Sequence, residues 1–357
     1  MRRTARGTKA VDGISKARTG AGSRAALGTL TAAGTLLALV LPTGPAGAAT
    51  PHGSHRSPAP RAALDAFWTA DRMRAAAPLD LGAPAKGPAA SAARRTADAV
   101  PHGAPLKVPP TLPQAPRLPH GPTPAAALSG VLPQAGGPWT GQGAVTTTTG
   151  RVFFTYQGRN ASCSGDAVTS ANKSTVLTAG HCVKLQGAWH TNWVFVPGYH
   201  DGQAPYGKWA AASTLSTPQW TASEDINYDV GAAVVAPLDG KKLTDVVGGQ
   251  GLSFNSGYNK AMYAFGYPAA APYDGTELIY CSGTTLKDPL FSNDHGLSCN
   301  MTGGSSGGPW FTSFDEKTGT GLQSSVNSFG YQFLPNTMFG PYFGDDAKAL
   351  YDKAQAS

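Results

Sequence analysis

The sequence lacks several features that mark metal-binding or membrane-spanning proteins. It has no Cys-x-x-Cys pair, which argues against a zinc ribbon, and its histidines show no spacing typical of a metal site. Its apolar run over residues 25–41 is interrupted by glycines and threonines, and falls short of the ~20 strongly apolar residues that a membrane span needs. We therefore expect no cofactor and no stable membrane association after processing; calcium binding is left open.

Positive charge is missing where nucleic-acid binding would require it. The formal net charge is +7, but residues 1–140 hold 16 Lys and Arg against 5 Asp and Glu, whereas residues 141–357 hold 12 against 16. A nucleic-acid footprint needs cations clustered on the folded domain. The basic excess lies instead in the part that we expect to be removed, so we predict no nucleic-acid partner.

Residues 1–48 have the pattern of a secretory signal peptide. A basic stretch leads into the apolar run over residues 25–41, and the small residues Ala46-Gly47-Ala48 follow as a cleavage pattern. We predict export and a secreted product. Arg2-Arg3 is a weak indication of the twin-arginine route, and the general route is the alternative.

Residues 49–140 contain 17 of the chain's 29 prolines and show poor apolar periodicity. Proline removes backbone donors, and such a composition buries too little apolar surface to offset the entropy of ordering. We interpret the stretch as a largely disordered pro-segment or linker, with a stable domain of its own as the alternative. One piece, Ala62 to Ala77, has the apolar residues for a helical turn or two.

From Gly143 onward, short β-branched and aromatic runs alternate with Gly, Asn, Asp and Pro turns, which predicts an all-β domain over residues 141–357. Its length suits one large unit or two small barrels. Near the end, acidic residues precede lysines over residues 345–355, as in a helix whose dipole is complemented.

All four cysteines lie in this β-rich part. An even count in an exported protein predicts two disulfides. Three pairings are open to four cysteines, and we favour the local one, Cys163–Cys182 with Cys281–Cys299.

Two motifs predict a serine nucleophile and its base. Thr178-Ala179-Gly180-His181-Cys182 supplies a histidine after an apolar run, and Thr302 to Pro309 supplies Ser306 among glycines. A serine hydroxyl needs a base to take its proton. Ser305 is the competing candidate, but Gly-Gly-Pro follows only Ser306. The backbone N–H groups of Gly304 and Ser306 are the expected oxyanion hole.

The third member must orient the histidine. We choose Asp229, at the start of an apolar strand, over Asp225. Chain order then separates the folds: the α/β-hydrolase order needs a histidine after Ser306, and none follows. The subtilisin order needs an acid before the histidine, where only Asp166 is available. The order His181, Asp229, Ser306 is that of chymotrypsin.

Residues 143–345 resemble the secreted trypsin-like serine peptidases of actinobacteria, in the chymotrypsin superfamily. The motifs are Thr178 to Cys182, Tyr228-Asp229-Val230 and Gly304 to Pro309. The resemblance implies two six-stranded antiparallel β-barrels with the site in the cleft between them. On this basis we expect barrel 1 over about 143–238, barrel 2 over about 245–343, and a C-terminal helix over about 345–355.

The chain departs from the best-known members in two ways. These have an Asp before the serine that pairs with a newly freed amino terminus, whereas this chain has Ser305. We therefore predict that activation does not depend on a defined new amino terminus. Trypsin-like enzymes keep an acid where this chain has Asn300, so a preference for Lys or Arg is not favoured. The expected pocket residues are Asn300, Thr302, Asn327, Ser328, Phe329 and Gly330.

The expected function is that of a secreted, monomeric serine endopeptidase that acts on polypeptides through an acyl-enzyme intermediate. Function does not follow from fold alone. Two alternatives stay open: an inactive binding protein on the same fold, and an esterase that uses the same triad.

Overall fold

The computed structural model describes residues 53–56, 60–81, 103–113 and 133–357. The expected signal peptide, residues 1–48, lies outside the described residues. By their contacts, these described residues group as one unit. Within the described part, no helix has the length and apolar character to cross a membrane.

Strands dominate the described chain. In chain order they are β1 (Gly53–Arg56), β2 (Ala77–Pro78), β3 (Leu106–Val108), β4 (Gln134–Pro138), β5 (Thr149–Tyr156), β6 (Arg159–Ala167), β7 (Thr175–Thr178), β8 (Lys184–Leu185), β9 (Ala188–Trp189), β10 (Thr191–Pro197), β11 (Trp209–Ser216), β12 (Gly231–Val235), β13 (Gly251–Phe254), β14 (Ala261–Gly266), β15 (Ile279–Thr284), β16 (Leu286–Lys287), β17 (His295–Ser298), β18 (Pro309–Asp315), β19 (Thr320–Val326) and β20 (Thr337–Gly340). The helices are α1 (Arg61–Phe67), α2 (Ala70–Arg74), α3 (Val145–Thr148), α4 (Pro218–Ser223), α5 (Leu243–Val247) and α6 (Asp345–Gln355), and single 3₁₀ turns span Gly180–Cys182 and Ile226–Tyr228.

The first half forms a closed six-stranded barrel. Its strands pair in the antiparallel order β10-β5-β6-β7-β12-β11, and β11 pairs with β10 to close the ring. Aromatic and β-branched side chains fill the interior, among them Val152, Phe154, Trp193 and Phe195. Such residues fit a pleated surface that is buried on one side.

The second half is an open path of seven strands, β3-β13-β19-β18-β14-β15-β4, beside the three-stranded sheet β16-β17-β20. The pairing of β13 with β19 is parallel, and the other pairings are antiparallel. The expected all-β, chymotrypsin-like fold is confirmed. Strand β4 lies on the pro-segment side of the boundary expected at residue 140, yet it pairs with β15 of this half.

The expected C-terminal helix is also confirmed. Helix α6 has Asp345 and Asp346 in its first turn and Lys353 in its last, which complements the helix dipole. It buries Leu350 and Tyr351 against the core of the first barrel. The end of the chain is thereby held to the body of the protein.

The described pieces of the proline-rich stretch do not form a hydrophobic core of their own. They pack their apolar side chains against the β-rich part of the chain. Helices α1 and α2 bury Leu64 and Met73 against the outer side of the first barrel, and Trp68 between them is buried there too. The helical turns expected between Ala62 and Ala77 are therefore present. A proline-rich composition limits how much apolar surface a free chain buries within itself, but it does not prevent the chain from docking on a β-barrel.

Candidate active site

The histidine and the carboxylate expected at the site are in direct contact. Nδ1 of His181 lies 2.7 Å from Oδ2 of Asp229, and the backbone N–H of His181 donates to Oδ1 at 2.8 Å. Both side chains are fully buried, and Ser328 Oγ donates to the same Oδ2 at 2.5 Å. Because the carboxylate accepts a hydrogen bond from Nδ1–H, the proton of the neutral ring is on Nδ1 and Nε2 is the basic nitrogen.

Local packing explains why the residues before the histidine are small. His181 lies on a 3₁₀ turn directly after β7, and the disulfide Cys163–Cys182 ties that turn to β6. A Cβ on Gly180 would lie 2.7 Å from the indole of Trp220. The turn therefore needs glycine at this position so that it can pack under the tryptophan.

Both expected disulfides are present. Cys163 joins Cys182 and Cys281 joins Cys299, which is the local pairing favoured from the sequence. The first fixes the histidine turn. The second ties β15 to the segment between β17 and the serine loop.

The serine loop reaches the first barrel through its backbone. The carbonyl of Ser306 accepts from Ser164 N–H at 2.7 Å. The next residue, Gly307, lies against the end of β7, since a Cβ there would be 2.1 Å from Thr178 Oγ1. Ser306 is thus held beside the strand that leads into His181.

Ser306 is not hydrogen-bonded to the histidine. His181 Nε2 has no hydrogen-bond partner among the described residues, and Ser306 Oγ donates to the carbonyl of Leu79 at 3.4 Å. Bonds between a nucleophile and its base are often long outside the substrate complex. Here the carbonyl of a preceding segment is the partner of the hydroxyl.

The same carbonyl also lies at the expected oxyanion hole. The N–H of Gly304 donates to Leu79 O at 3.3 Å. Gly304 has a φ of +95°, and a Cβ there would lie 3.0 Å from Ala269 N and Tyr267 O. Only glycine adopts this conformation without strain. The serine hydroxyl and a backbone donor therefore converge on one carbonyl oxygen.

Ser305, the competing nucleophile, points away from this oxygen. Its hydroxyl donates to Thr302 O at 2.8 Å, and its carbonyl accepts from Asn327 Nδ2 at 2.9 Å. Asn327 also donates to Phe265 O and accepts from Trp310 Nε1. It is fully buried and holds the serine loop from behind, and it does not line the pocket as expected from the sequence.

The other five expected pocket residues line a cavity of about 330 Å³ beside Ser306. Asn300 Oδ1 accepts from Tyr273 OH, and Thr302 Oγ1 donates to Ala270 O. Among the described residues, Asp80 is the one ionisable carboxylate on the cavity wall, and it belongs to the stretch before residue 140. No Lys, Arg or His of the described ranges lines the cavity.

One buried histidine behind the site was not predicted to have a role. Nε2 of His190 donates to the carbonyl of His181 at 2.8 Å, and the ring stacks on Phe154 at 4.3 Å. Burial lowers the pKa of His190 to about 4, so the ring is neutral. Its only sequence signal is its position nine residues after His181, which does not reveal the contact.

The two carboxylates weighed against Asp229, and two other histidines of the β-rich part, lie elsewhere. Asp225 accepts from the backbone and side-chain nitrogens of Asn227. Asp166 is buried in β6 beside Thr149. His200 is exposed and His295 is buried between aromatic rings, where burial lowers its pKa to about 4. None of these contacts includes His181.

The donor atoms near the site do not fit a metal ion. Among the described residues, one group of three ligand-type side chains lies close enough together: Cys163, His181 and Cys182. Both sulfurs belong to one disulfide, and a thiolate is the form that binds metals. A metal centre on this group would require that disulfide to be broken.

No family model matches the chain. A stretch of 71 residues is 41% identical to the extracellular metalloprotease of Bacillus subtilis (strain 168); it covers 20% of this chain and 22% of that protein. The chain therefore matches only about a fifth of the length of this relative.

Solved structures give broader matches. The protease Anisep of Arthrobacter nicotinovorans is 46% identical, with a TM-score of 0.58; the match covers 62% of this chain and 100% of Anisep. The thermostable serine protease AL20, from an extremophilic microorganism, is 42% identical over 60% of this chain and 99% of its own, with a TM-score of 0.57.

A Glu endopeptidase structure shares the fold at 16% identity and a TM-score of 0.50, over 62% of this chain and 97% of its own. Because the chain covers the whole of Anisep and nearly all of AL20 at 46% and 42% identity, it belongs to their family, the chymotrypsin-like serine proteases of the actinobacterial type.

Proposed function

We propose that the chain is a serine endopeptidase that cuts polypeptides through an acyl-enzyme intermediate, with Ser306 as nucleophile, His181 as base and Asp229 as the orienting carboxylate. The observation that carries the proposal is the convergence of Ser306 Oγ and Gly304 N–H on one carbonyl oxygen, at 3.4 and 3.3 Å. In acyl transfer the nucleophile attacks the carbonyl carbon while the oxyanion donor binds the carbonyl oxygen, so both groups must lie beside one carbonyl.

In the proposed reaction, Ser306 Oγ attacks a substrate carbonyl while His181 Nε2 takes its proton. The N–H groups of Gly304 and Ser306 stabilise the oxyanion. His181 then gives the proton to the leaving amine, and water hydrolyses the ester at Ser306. Asp229 stabilises the imidazolium, and its two bonds to His181 keep the ring in the required orientation.

The pocket supports a substrate residue without positive charge. Asn300 at its floor is engaged by Tyr273 OH at 2.6 Å and carries no charge for Lys or Arg. A desolvated cation would find no ionic partner among the protease's own pocket residues, and burying an unpaired charge is costly. We therefore propose that basic residues are disfavoured at the scissile bond.

We further propose that the protein is exported, acts as a monomer and is made as a zymogen. Two disulfides are typical of an oxidising compartment. The contact of Leu79 with Ser306 and Gly304 supports the zymogen, because a free substrate would have to displace it.

The test is labelling with a fluorophosphonate probe after processing, followed by digestion of a peptide library. We expect Ser306 to carry the label, Ser306→Ala to abolish it, and peptides to be cut. Labelling without peptide cleavage but with ester cleavage would favour the esterase alternative. No labelling of a processed, folded protein would favour an inactive binding protein.

A further inference from the structure

Residues 77–81 run directly through the proposed active site. Strand β2 pairs with β6 in parallel, with Ala77 opposite Ala161 and Pro78 opposite Ser162, and Leu79 N–H continues the ladder to Ser162 O at 2.9 Å. Leu79 packs against the core that contains the Cys163–Cys182 disulfide. The segment therefore enters the cleft on the first-barrel side.

Past Leu79 the chain crosses to the other side of the cleft. Asp80 lies in the pocket, where its Cβ is 3.2 Å from the position of a Cβ on Gly303. Leu81 packs on the aromatic cluster of Phe329 and Tyr331. The segment thus contacts the nucleophile, the oxyanion donor and the pocket in three consecutive residues.

The direction of the segment differs from that of a substrate. In a protease of this kind, the side chain in the pocket belongs to the residue whose carbonyl is attacked. The resemblance to the trypsin-like peptidases implies that the substrate residues that precede it pair along Ser328 to Gly330, so that those that follow run toward the first barrel. A substrate therefore runs from Phe329 through the pocket to β6.

The segment runs the opposite way. Its earlier residues lie on β6, its later residue lies at Phe329, and the pocket holds Asp80 although the carbonyl at Ser306 belongs to Leu79. We propose that residues 60–81 are a built-in inhibitor that occupies the active site in reverse polarity, and so blocks it without being cut between Leu79 and Asp80. This inference rests on the proposed function and adds the means by which the site is regulated.

Reverse polarity accounts for resistance to cleavage. Hydrolysis needs the amide nitrogen that follows the attacked carbonyl to face His181, which must protonate it as it leaves. Here that nitrogen belongs to Asp80, which lines the pocket beside Gly303. A carbonyl can thus occupy the oxyanion site while its leaving group is misplaced, and misplacement of reacting groups costs orders of magnitude in rate.

The segment is anchored well away from the cleft. Trp68 is fully buried, and its Nε1 donates to Asn192 O at 2.7 Å. Lys208 Nζ donates to Trp68 O at 3.0 Å. Arg74 donates to the carboxylate and the backbone carbonyl of Asp201, each at 2.9 Å. These contacts hold the segment on the first barrel and so raise the effective concentration of Leu79 at the active site.

The first experiment tests polarity by disulfide trapping in the full chain. The pair Asp80→Cys with Gly303→Cys places two Cβ atoms near the 3.5–4.5 Å that a disulfide requires. The matched pair Leu79→Cys with Gly303→Cys would cross-link if the segment lay as a substrate, with Leu79 in the pocket. Peptide mapping by mass spectrometry identifies the bonds.

We expect the Asp80 pair to cross-link and the Leu79 pair to stay reduced. The opposite result, or cross-linking of both pairs, would overturn reverse polarity. Failure of both pairs would show that the segment does not occupy the cleft. This readout needs no catalysis, so it separates the inference from the proposed function.

The second experiment tests inhibition by weakening the anchor. Arg74→Glu places like charges against Asp201 at a partly exposed position, and we expect the rate of fluorophosphonate labelling of the full chain to rise by ~3-fold or more. The matched control is Arg72→Glu, because among the described residues the Arg72 guanidinium contacts Phe67, within the segment itself. Trp68→Ala should raise labelling further, by ~10-fold or more.

Equal labelling of Arg74→Glu, Arg72→Glu and the unmodified chain would refute inhibition, and it does so even if Trp68→Ala fails to fold. Prolonged incubation supplies a further check, because we expect no fragment that begins at Asp80. A fragment that begins at Asp80 and disappears in Ser306→Ala would overturn the proposal. If the trapping result holds but released protein is never labelled, the proposed function fails and the reverse placement stands.

Discussion

The two halves of the molecule present their parts of the site in different states. In the first barrel, His181 and Asp229 are fully buried and joined by two hydrogen bonds. In the second half, Ser306 and Gly304 both face the carbonyl of Leu79. In the proposed function, the base and its carboxylate are therefore already in contact, while the nucleophile and the oxyanion donor both contact a carbonyl of the chain itself. Under the proposed inhibition, a protease is kept inactive by covering only one half of its site.

The architectures of the halves fit this division. The first barrel closes on itself, and a disulfide fixes the turn that carries the histidine. In the second half, the side-chain amide of Asn327 holds the serine loop, and no described residue forms an ion pair with that loop. A loop held by neutral hydrogen bonds does not require a new charged amino terminus to take its shape. This supports the prediction that activation does not depend on one defined amino terminus.

The largest effect is expected when the hydrogen bond between His181 and Asp229 is altered. Asp229→Asn in the processed protein should lower kcat by ~10⁴-fold, because an amide no longer enforces the tautomer that leaves Nε2 basic. The measurement is hydrolysis of a peptide and of an ester substrate. The control, Asp225→Asn, removes a carboxylate whose hydrogen bonds go to Asn227, and should change kcat by only a few-fold. Equal losses in the two variants would show that the wrong carboxylate has been assigned.

The next largest effect is expected in the serine loop. Asn327→Ala leaves the carbonyls of Ser305 and Phe265 and the Nε1 of Trp310 without their present partner in a buried place. We expect kcat to fall by ~10–100-fold with a smaller change in KM, since the loop holds the oxyanion donor.

The matched control for this change is Asn172→Ala, which removes an amide that donates to Ala354 O far from the site. It should lower the melting temperature with kcat intact. If Asn327→Ala behaves in the same way, Asn327 stabilises the fold without positioning the serine.

Much of the first half and the contact between His181 and Asp229 could be predicted from sequence. The strands, the two local disulfides and the helix at 345–355 follow from alternation, spacing and charge placement, which are local signals. Asn327 and His190 were not assigned their positions, because each acts through a contact that depends on the folded backbone: Asn327 lies 22 residues from Ser305, and His190 lies nine from His181.

The path of residues 77–81 was the least predictable element. A proline- and alanine-rich composition predicts poor packing within the segment itself. It says nothing about docking on an existing barrel, where Trp68 finds a core built by other residues. The contact between Leu79 and Ser306 could not be predicted because the two residues are 227 positions apart in the sequence.

A buried carboxylate of the first barrel, Asp166, is expected to make the stability of the protein depend on pH. Asp166 is fully buried, and burial raises the pKa of its carboxyl to about 8. Between pH 4 and pH 8 the native state then holds a proton that the unfolded chain releases, so stability falls as pH rises. Asp166→Asn removes this loss, and we expect it to stabilise the protein by about 2–4 kcal/mol at pH 7.

Thermal unfolding at pH 5 and pH 8 tests this, because the gain from Asp166→Asn should be larger at pH 8. Asp245→Asn is the control, as Asp245 forms a half-exposed ion pair with Lys173, and such pairs contribute less than ~1 kcal/mol. A gain that does not change with pH would mean that Asp166 is ionised in the native protein.

The smallest effect is expected behind the histidine. His190→Phe keeps the ring that stacks on Phe154 but removes the donor to His181 O. We expect kcat to fall by ~5–10-fold, because an unpaired buried carbonyl loosens the turn. His190→Gln retains an N–H donor and should recover most of the activity.

The same two variants test the pH dependence of stability. Burial lowers the pKa of His190 to about 4, whereas in the unfolded chain it is about 6.5. Between these two pH values the unfolded chain therefore binds a proton that the native protein does not. His190 therefore costs stability as pH falls through this window, and both variants should weaken that acid sensitivity, whereas the kcat–pH profile near neutrality should keep its shape. A shifted profile in His190→Gln would mean that His190 takes part in the proton transfer itself.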